Sequence, residues 1–428
     1  MRKVARQAAP DGVDQYLRVH KADIVAALLN GGVLAEAAAR EKFRCICATL
    51  AAILHCDYFA LLDRLRRDYY YFAPEIAPHA AMDRDGIERA YADLLQSVDT
   101  VLKDANFVEL PHDEIADAHA RRTLLRVEVA APLEDFRDVR FYRRGRHFEA
   151  FEQRRWFGLR RRKIEAEVYD DVVLLVATKS TDEIGSRRKL RALERRKIRP
   201  GSVLLKYFRN VAVADLKALF PNVRVVMSSA DKLMLGVPAL AGGIPILLNL
   251  YATITVLFVV IGFYLGVSAA VEDKDMKTAL AALSGLVALG SFIVQQWIKY
   301  QRQSLKYRTE LTDNVYFRNV NNNAGIFDYL VGAAEQQECK EVVLAYYFLL
   351  AAPSPGPAEL ESRIESWLRE TFGAAPAFKV GEALATLDRI GLIRRDGERV
   401  SALPLDAACT QLRGVWERLV PLDSRKPS

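Results

Sequence analysis

The sequence predicts an α+β membrane protein in four parts: a helical N-terminal part, a small basic α+β unit, a two-helix transmembrane hairpin and a winged-helix-like C-terminal domain. Two long uncharged segments predict the hairpin. A change of apolar period near Leu124 separates the first two parts, and helical patterns followed by an Asp-Gly turn predict the last. With 428 residues, 51% of them hydrophobic, and a net charge of +7, the chain can form two or three folded units and is not disordered as a whole.

Two segments are long and apolar enough to cross a membrane. Residues 233–271 and 278–298 contain no charged side chain, and about 20 apolar residues in a helix cross a hydrocarbon core of about 30 Å. Four residues that disfavour helix begin the first segment: Pro238, Gly242, Gly243 and Pro245. We therefore place the spans at about 245–267 and 278–298. A buried helical pair is the alternative, but soluble core helices usually carry a polar stripe.

The connector between the spans predicts their orientation. The connector, residues 272–277, is too short to cross the membrane again, so the two spans must be antiparallel. The N- and C-terminal regions therefore share one side of the membrane. Cations flank the other ends of the spans: Arg224, Lys232, Lys299, Arg302, Lys306 and Arg308. The connector has two lysines and three carboxylates, so it carries no excess of positive charge. By the positive-inside rule, both large regions are cytoplasmic. The N-terminus has no apolar core typical of a signal peptide.

The regions before the spans differ in charge and in apolar period. Residues 1–136 carry 17 Lys+Arg and 22 Asp+Glu, whereas residues 137–199 carry 20 and 10. Apolar residues at three- and four-residue steps predict helices over 43–65 and 87–102. Further on, β-rich runs predict strands at 124–129, 139–142, 168–177, 203–208 and 223–227, with a short helix at 212–220. We divide this part into a helical region, 1–120, and a basic α+β unit, 121–232.

The C-terminal region has the element order of a winged helix. Its pattern predicts helices at 338–350, 359–371, 378–390 and 405–419, and strands at 392–395 and 399–403. The turn Asp396-Gly397 between the two strands is a strong hairpin signal. We predict a winged-helix-like domain over 338–420, preceded by a membrane-proximal connector, 300–337. Residues 353–428 carry eleven Lys+Arg and eleven Asp+Glu, a balance that disfavours binding to nucleic-acid phosphates.

Three stretches resemble transmembrane protein 143-like proteins. They are Leu204–Asn210 with the following 214–225, then Val315–Gly325, and Glu341–Tyr347 continuing to Gly391–Ile393. Together they cover about residues 120–415. The resemblance implies an integral membrane protein, mitochondrial in animals and also found in bacteria and plants, whose shared region is a domain of unknown function. It implies no reaction. The Ala/Arg-rich usage and the lack of a convincing transit peptide favour the bacterial inner membrane over the mitochondrial one.

Two basic runs are the main candidate binding site. Residues 137–163 contain eleven cations and three acids, interleaved with aromatic residues, and residues 187–199 contain eight cations and one acid. The candidate lipid- or partner-binding residues are Arg143, Arg144, Arg160, Arg161, Arg162, Lys163, Arg187, Arg188 and Lys189. Cations near a membrane bind anionic headgroups, at about 1 kcal/mol each. Three alternatives remain. The basic runs form a solvated face without a partner, they bind nucleic acid, or they bind an acidic protein such as a second copy of this chain.

A polar group near the second span is a second candidate. It consists of Asn319, Asn321, Asn322 and Asn323, for which turn and cap roles are the simpler interpretation because Asn tolerates left-handed backbone. Asp170 and Asp171 could form a carboxylate pair, but neighbours in a strand point to opposite faces. The five cysteines have no paired spacing, and Cys45 and Cys47 of one helix cannot both face one ion. We expect no metal and no cofactor.

The sequence contains no recognisable nucleophile, phosphate-loop or metal motif. We therefore expect a hairpin-anchored scaffold, or a protein that binds the membrane surface or a partner, without enzymatic activity. Two alternatives are a membrane-interface enzyme acting on lipids or lipid precursors, and a membrane-tethered DNA-binding regulator.

Overall fold

A computed structural model describes most of the chain outside the uncharged segments. The described residues are 2–8, 15–76, 83–111, 113–115, 128–130, 132, 134, 136–155, 160–195, 198–226, 290–302, 316–352, 356–373, 377–397, 399–419 and isolated positions between 258 and 309. These residues divide into two compact units. Unit 1 comprises 1–118, 133–213 and 318–428, and unit 2 comprises 119–132 and 214–317. Unit 1 thus combines residues from both sides of the predicted spans.

Three helices of the N-terminal part pack in unit 1. They are α1 (Lys21–Leu29), α2 (Ala37–Tyr70) and α3 (Arg84–Asp104), and α2 and α3 contain the two helical patterns of the sequence. Helix α3 begins where the side chain of Asp83 accepts a hydrogen bond from the Gly86 amide. Phe43, Leu50 and Leu54 on one face of α2 are fully buried. This face supplies much of the core that supports the rest of the unit.

Helix α2 is also the one helix among the described residues that is long and apolar enough to cross a membrane. Length and composition alone do not distinguish a membrane span from a core helix. Residues of α2 contact α1, α3 and two C-terminal helices, and its other face carries exposed charges such as Arg64 and Arg67. The apolar stripe of α2 is therefore explained by packing within unit 1.

A six-stranded antiparallel sheet forms the second layer of unit 1. Its strands are β1 (Arg2–Ala8), β2 (Val108–Glu109), β4 (Phe136–Arg155), β5 (Arg160–Thr178), β6 (Val203–Ala212) and β8 (Asn319–Asn322). The order is β1-β4-β5-β6-β8, and β2 also pairs with β4. Val173 and Leu175 of β5 belong to the same core as the helices. Strands β4 and β5 extend well beyond the predicted 139–142 and 168–177. Two short helices, α4 (Thr181–Ile184) and α5 (Arg187–Arg195), connect β5 to β6.

The central helix of unit 1 is α6 (Gly325–Ala351). It begins well before the predicted Glu338, inside the region predicted as a connector, because Ile326, Phe327 and Leu330 continue the apolar pattern and are fully or almost fully buried. Helix α6 contacts α1, α2 and α3, while the preceding β8 pairs with β6. Residues that follow the uncharged segments therefore complete the core that the N-terminal part begins.

The remaining C-terminal elements follow the predicted order. They are α7 (Pro357–Phe372), α8 (Val380–Ile390), β9 (Ile393–Asp396), β10 (Arg399–Ala402) and α9 (Leu405–Leu419). Strands β9 and β10 pair antiparallel, with Arg399 opposite Asp396. Gly391 follows α8 at φ 82°, the left-handed conformation that favours glycine at a helix end. Helix α8 packs on α6, and α9 packs on α2.

Unit 2 contains a two-stranded sheet and a short helix among its described residues. Strand β3 (Glu128–Ala130) pairs with β7 (Arg224–Val226), and Val213–Leu219 is a 3-10 helix. The predicted spans, 245–267 and 278–298, lie outside the described residues apart from isolated positions and the helical segment 290–302. Twelve large apolar side chains described in this part are exposed: Phe258, Ile261, Leu265, Val287, Ile293, Val294, Trp297, Ile298, Tyr300, Leu305, Tyr316 and Phe317.

Candidate functional site

Strands β4 and β5 form one long hairpin that carries the first basic run. The pairing is continuous from Phe136 opposite Thr178 to Arg155 opposite Arg160. On one side β1 reaches only as far as Glu152, and on the other β6 starts its pairing at Val168. At about 3.4 Å per residue, the end of the hairpin extends past β6 by more than 20 Å. We call residues 151–164 the hairpin tip.

The register of the tip brings cationic residues together. Arg154 is paired with Arg161, and Arg155 is paired with Arg160. Residues 151–164 include six Lys+Arg and one Glu. Like charges at paired strand positions are destabilising by themselves, so an anionic partner would stabilise this pairing. The connecting residues 156–159, which include Trp156 and Phe157, lie outside the described residues. The tip therefore contains four of the predicted binding residues, Arg160–Lys163.

The other cations of the first basic run have partners within unit 1. The Arg143 guanidinium lies 5.4 Å from the Tyr169 ring centroid. Arg144 is 4% exposed, and its guanidinium donates to Asp171 Oδ2 from Nε at 3.0 Å and from Nη2 at 2.6 Å. Arg144 is thus not available to a surface ligand, because its charge is buried and paired. The sequence does not indicate that Arg144 is buried, because a basic residue in a strand rich in polar residues is usually exposed.

Asp171 is the centre of a buried polar cluster on the helix side of the sheet. Besides Arg144, its carboxylate accepts hydrogen bonds from the Tyr207 hydroxyl at 2.8 Å and from Arg209 Nε at 3.3 Å. Arg144 also donates to the Ala105 carbonyl at 3.2 Å and lies 4.3 Å from the Tyr16 ring centroid. The Asp171 carboxylate therefore accepts four hydrogen bonds from three residues, the bonding that a buried charge requires.

Asp170 contacts a different set of residues. Arg18 Nε lies 2.9 Å from its Oδ2, and Nδ1 of the fully buried His147 lies 2.8 Å from its Oδ1. The other ring nitrogen of His147 is 3.2 Å from Glu149 Oε1. These separate partners agree with the expectation that the two neighbouring side chains point to opposite faces of the strand. Each carboxylate organises its own cluster, on opposite faces of β5.

The segment 15–18 crosses this region and is held by α6. The Leu17 amide donates to Gln337 Oε1 at 3.3 Å, and Lys340 Nζ donates to the Leu17 carbonyl at 2.5 Å. Burial lowers the pKa of Lys340 to about 8, and the nearby Arg144 acts in the same direction. Burial raises the pKa of Glu341 to about 7. Perturbed groups of this kind occur at catalytic sites, but here Lys340 binds the Leu17 carbonyl, and Glu341 accepts hydrogen bonds from the side chains of Gln337 and Asn106. These contacts join the N-terminal segment to the core.

The second basic run and the asparagines lie in separate places. Arg187 is exposed at the start of α5, and Arg188 and Lys189 follow it in that helix. Asn319 and Asn321 pair with Phe208 and Tyr207 of β6, and Asn322 pairs with Lys206. Asn323 has φ 53°; its amide donates to the Leu205 carbonyl at 2.8 Å, and its Oδ1 accepts from the Leu205 amide at 3.3 Å. The predicted turn role fits Asn323, whereas Asn319, Asn321 and Asn322 lie in strand β8. A binding role stays a prediction.

Comparison with known proteins gives one family. A family model described as "Protein of unknown function (DUF3754)" matches residues 169–325. The matched segment is less than half of the chain and contains Asp170, Asp171, β6 and the four asparagines. No solved structure matches the chain. The chain is therefore similar over this segment to a family for which the description states no activity.

Proposed function

We propose that this protein is anchored in a membrane by a two-helix hairpin, with unit 1 on the cytoplasmic side, where its hairpin tip contacts anionic lipid headgroups. The observation that carries the proposal is the set of exposed apolar side chains between Phe258 and Ile298, within the two proposed spans. Soluble proteins rarely leave so many large apolar groups in water. Hydrocarbon would cover them, as it would the uncharged segments 233–271 and 278–298.

The fold of unit 1 supports the single-sided arrangement. Strand β8 pairs with β6, and α6 packs on α1, α2 and α3, so the parts of unit 1 that precede residue 214 and follow residue 317 must lie on one side of any membrane that the chain crosses between them. An even number of spans between them meets this condition. The resemblance to transmembrane protein 143-like proteins agrees with the proposal, as do the cations that flank the spans. Because those cations favour the cytoplasm, we propose the bacterial inner membrane.

The hairpin tip supports the contact with lipid. The end of a hairpin that extends past its neighbouring strand β6 carries six Lys+Arg in its sequence, and a phospholipid surface would supply anions for them. The order of the C-terminal elements is compatible with the proposed winged-helix-like domain, and the balanced charge of residues 353–428 favours a protein-contact role for this domain over DNA binding.

Alkaline extraction of isolated membranes tests the anchor. We expect the full chain to stay in the membrane pellet after a carbonate wash and to be released by a nonionic detergent, because peripheral electrostatic binding does not survive the wash. A variant with residues 233–299 replaced by a flexible Gly/Ser linker retains β8 and α6, so it should fold and be released by carbonate. Release of the full chain by carbonate without detergent would contradict the anchor.

A further inference from the structure

A cavity of about 370 Å³ lies in unit 1 between the end of α2, the start of α3 and the chain between β5 and β6. Phe72, Ile87 and Tyr91 form an apolar wall, and Arg137 and Arg199 contribute two guanidinium groups. The volume is at the lower end of the range of about 300–1,000 Å³ typical of small-molecule sites. The cavity is separate from the hairpin tip and from the clusters around Asp170 and Asp171.

Arg199 is fixed in place by its surroundings. Its Nη2 donates to the main-chain oxygens of Tyr71 at 2.8 Å and of Ala73 at 3.2 Å. Its own carbonyl oxygen accepts hydrogen bonds from the hydroxyls of Thr178 at 3.0 Å and Ser202 at 2.5 Å. Both ends of the residue are therefore anchored, and a ligand would pay little ordering entropy to use it.

The guanidinium of Arg199 has unused donor capacity. Its Nε is buried and has no hydrogen-bond partner among the described residues. Its two described side-chain hydrogen bonds go to uncharged carbonyls, and burial lowers its pKa. Arg137, by contrast, pairs with Glu88 and lies 4.8 Å from the Tyr91 ring centroid. Because Nε has almost no accessible surface, an oxyanion in the cavity would instead use Nη1, for which no hydrogen bond to the described residues is found.

We propose that this cavity binds a small organic anion, with its phosphate or carboxylate group at Arg199 and its apolar body against Phe72, Ile87 and Tyr91. A guanidinium binds either oxyanion through paired N–H groups. Apolar contacts with this wall favour an organic substituent over an inorganic ion. Asp182 also lines the cavity, but its side chain is exposed to solvent, which weakens its repulsion of the anion.

Calorimetric titration of the full chain in nonionic detergent tests this proposal. The four ligands are phenyl phosphate, benzoate, inorganic phosphate and phenol. We expect phenyl phosphate or benzoate to bind with a Kd below about 1 mM, and at least about tenfold more tightly than phenol and inorganic phosphate, since one charge-assisted hydrogen bond contributes about 1.5–3 kcal/mol. Tighter binding of phenyl phosphate would identify a phosphate as the preferred group, and tighter binding of benzoate would identify a carboxylate. Absence of binding by both would overturn the proposal.

Two variants distinguish the cavity from nonspecific binding. Ile87 is 40% exposed, so Ile87→Glu should fold, place a negative charge at the apolar wall and weaken binding at least about tenfold. Val33→Glu, at a site that is 42% exposed and does not line the cavity, is the matched control and should bind as the original chain does. Arg199→Lys, which keeps the charge and removes the planar guanidinium, should also weaken binding. Equal binding by the Ile87→Glu and Val33→Glu variants would contradict the assignment.

Discussion

Replacement of Asp171 by Ala is expected to lower the free energy of unfolding of unit 1 by about 3–5 kcal/mol, the usual cost of removing one partner of a buried ion pair. The side chains of Arg144 and Asp171 are 5% and 7% exposed, so water cannot replace the lost carboxylate. The Tyr207 hydroxyl would lose its acceptor as well. The change is measured in the variant with residues 233–299 replaced by a linker, with and without Asp171→Ala. Both proteins are unfolded with urea, and circular dichroism monitors the transition.

Two further variants show whether the loss comes from the buried charge. Asp63→Ala removes a carboxylate that is 67% exposed and paired with Arg67 in the same helix, and should cost less than about 1 kcal/mol. Adding Arg144→Met to Asp171→Ala removes the uncompensated charge, so the double variant should be more stable than Asp171→Ala alone. If Asp171→Ala and Asp63→Ala unfold at the same urea concentration, the cluster does not have the role assigned to it.

Replacement of Arg160, Arg161, Arg162 and Lys163 by Gln is expected to weaken binding to anionic vesicles by roughly a thousandfold. Each cation near an anionic surface contributes about 1 kcal/mol, and about 1.4 kcal/mol corresponds to a factor of ten. Sedimentation with vesicles that contain phosphatidylglycerol measures this on the linker variant, which has no spans. Binding should also fall as salt is added, because salt screens exposed charges.

The control for the tip has the same change in net charge. Arg44, Arg67, Arg363 and Arg369 are exposed on helices of unit 1, and their replacement by Gln should leave most of the vesicle binding intact. Equal losses from the two sets would mean that net charge, and not the tip, determines binding. Equal binding to neutral and anionic vesicles without salt dependence would exclude the electrostatic contact itself.

The elements that the sequence predicts well are those with a local apolar period. Helices α2 and α3 and the central part of β5 carry such patterns, because one face of each meets the core. The alternation along a strand also predicts correctly that Asp170 and Asp171 have different surroundings. The C-terminal helices and the β9–β10 hairpin follow from apolar period and turn residues in the same way.

Features that depend on distant partners could not be predicted. The outer parts of β4 and β5 are rich in Arg and Glu and have weak strand propensity, so cross-strand pairing decides their structure. Arg144 is interior only because Asp171 and Tyr207 lie across the sheet. The hydrogen bond between Leu17 and Gln337 joins residues 320 positions apart, and no local pattern indicates it. The cavity beside Arg199 likewise combines residues from the turn after α2, from α3 and from the chain between β5 and β6.

The most direct test of the membrane account is cysteine labelling with a membrane-impermeant thiol reagent on intact bacterial cells. Cys45 is exposed in unit 1, Cys47 and Cys339 are buried, and Cys56 and Cys409 are half-buried; the last two are replaced by Ser. Cys45 then reports the side of unit 1, and Lys274→Cys in a Cys45→Ser chain reports the connector. The account predicts that position 274 is labelled in intact cells and Cys45 only after permeabilisation. Labelling of Cys45 in intact cells, or of neither site before permeabilisation, would contradict it.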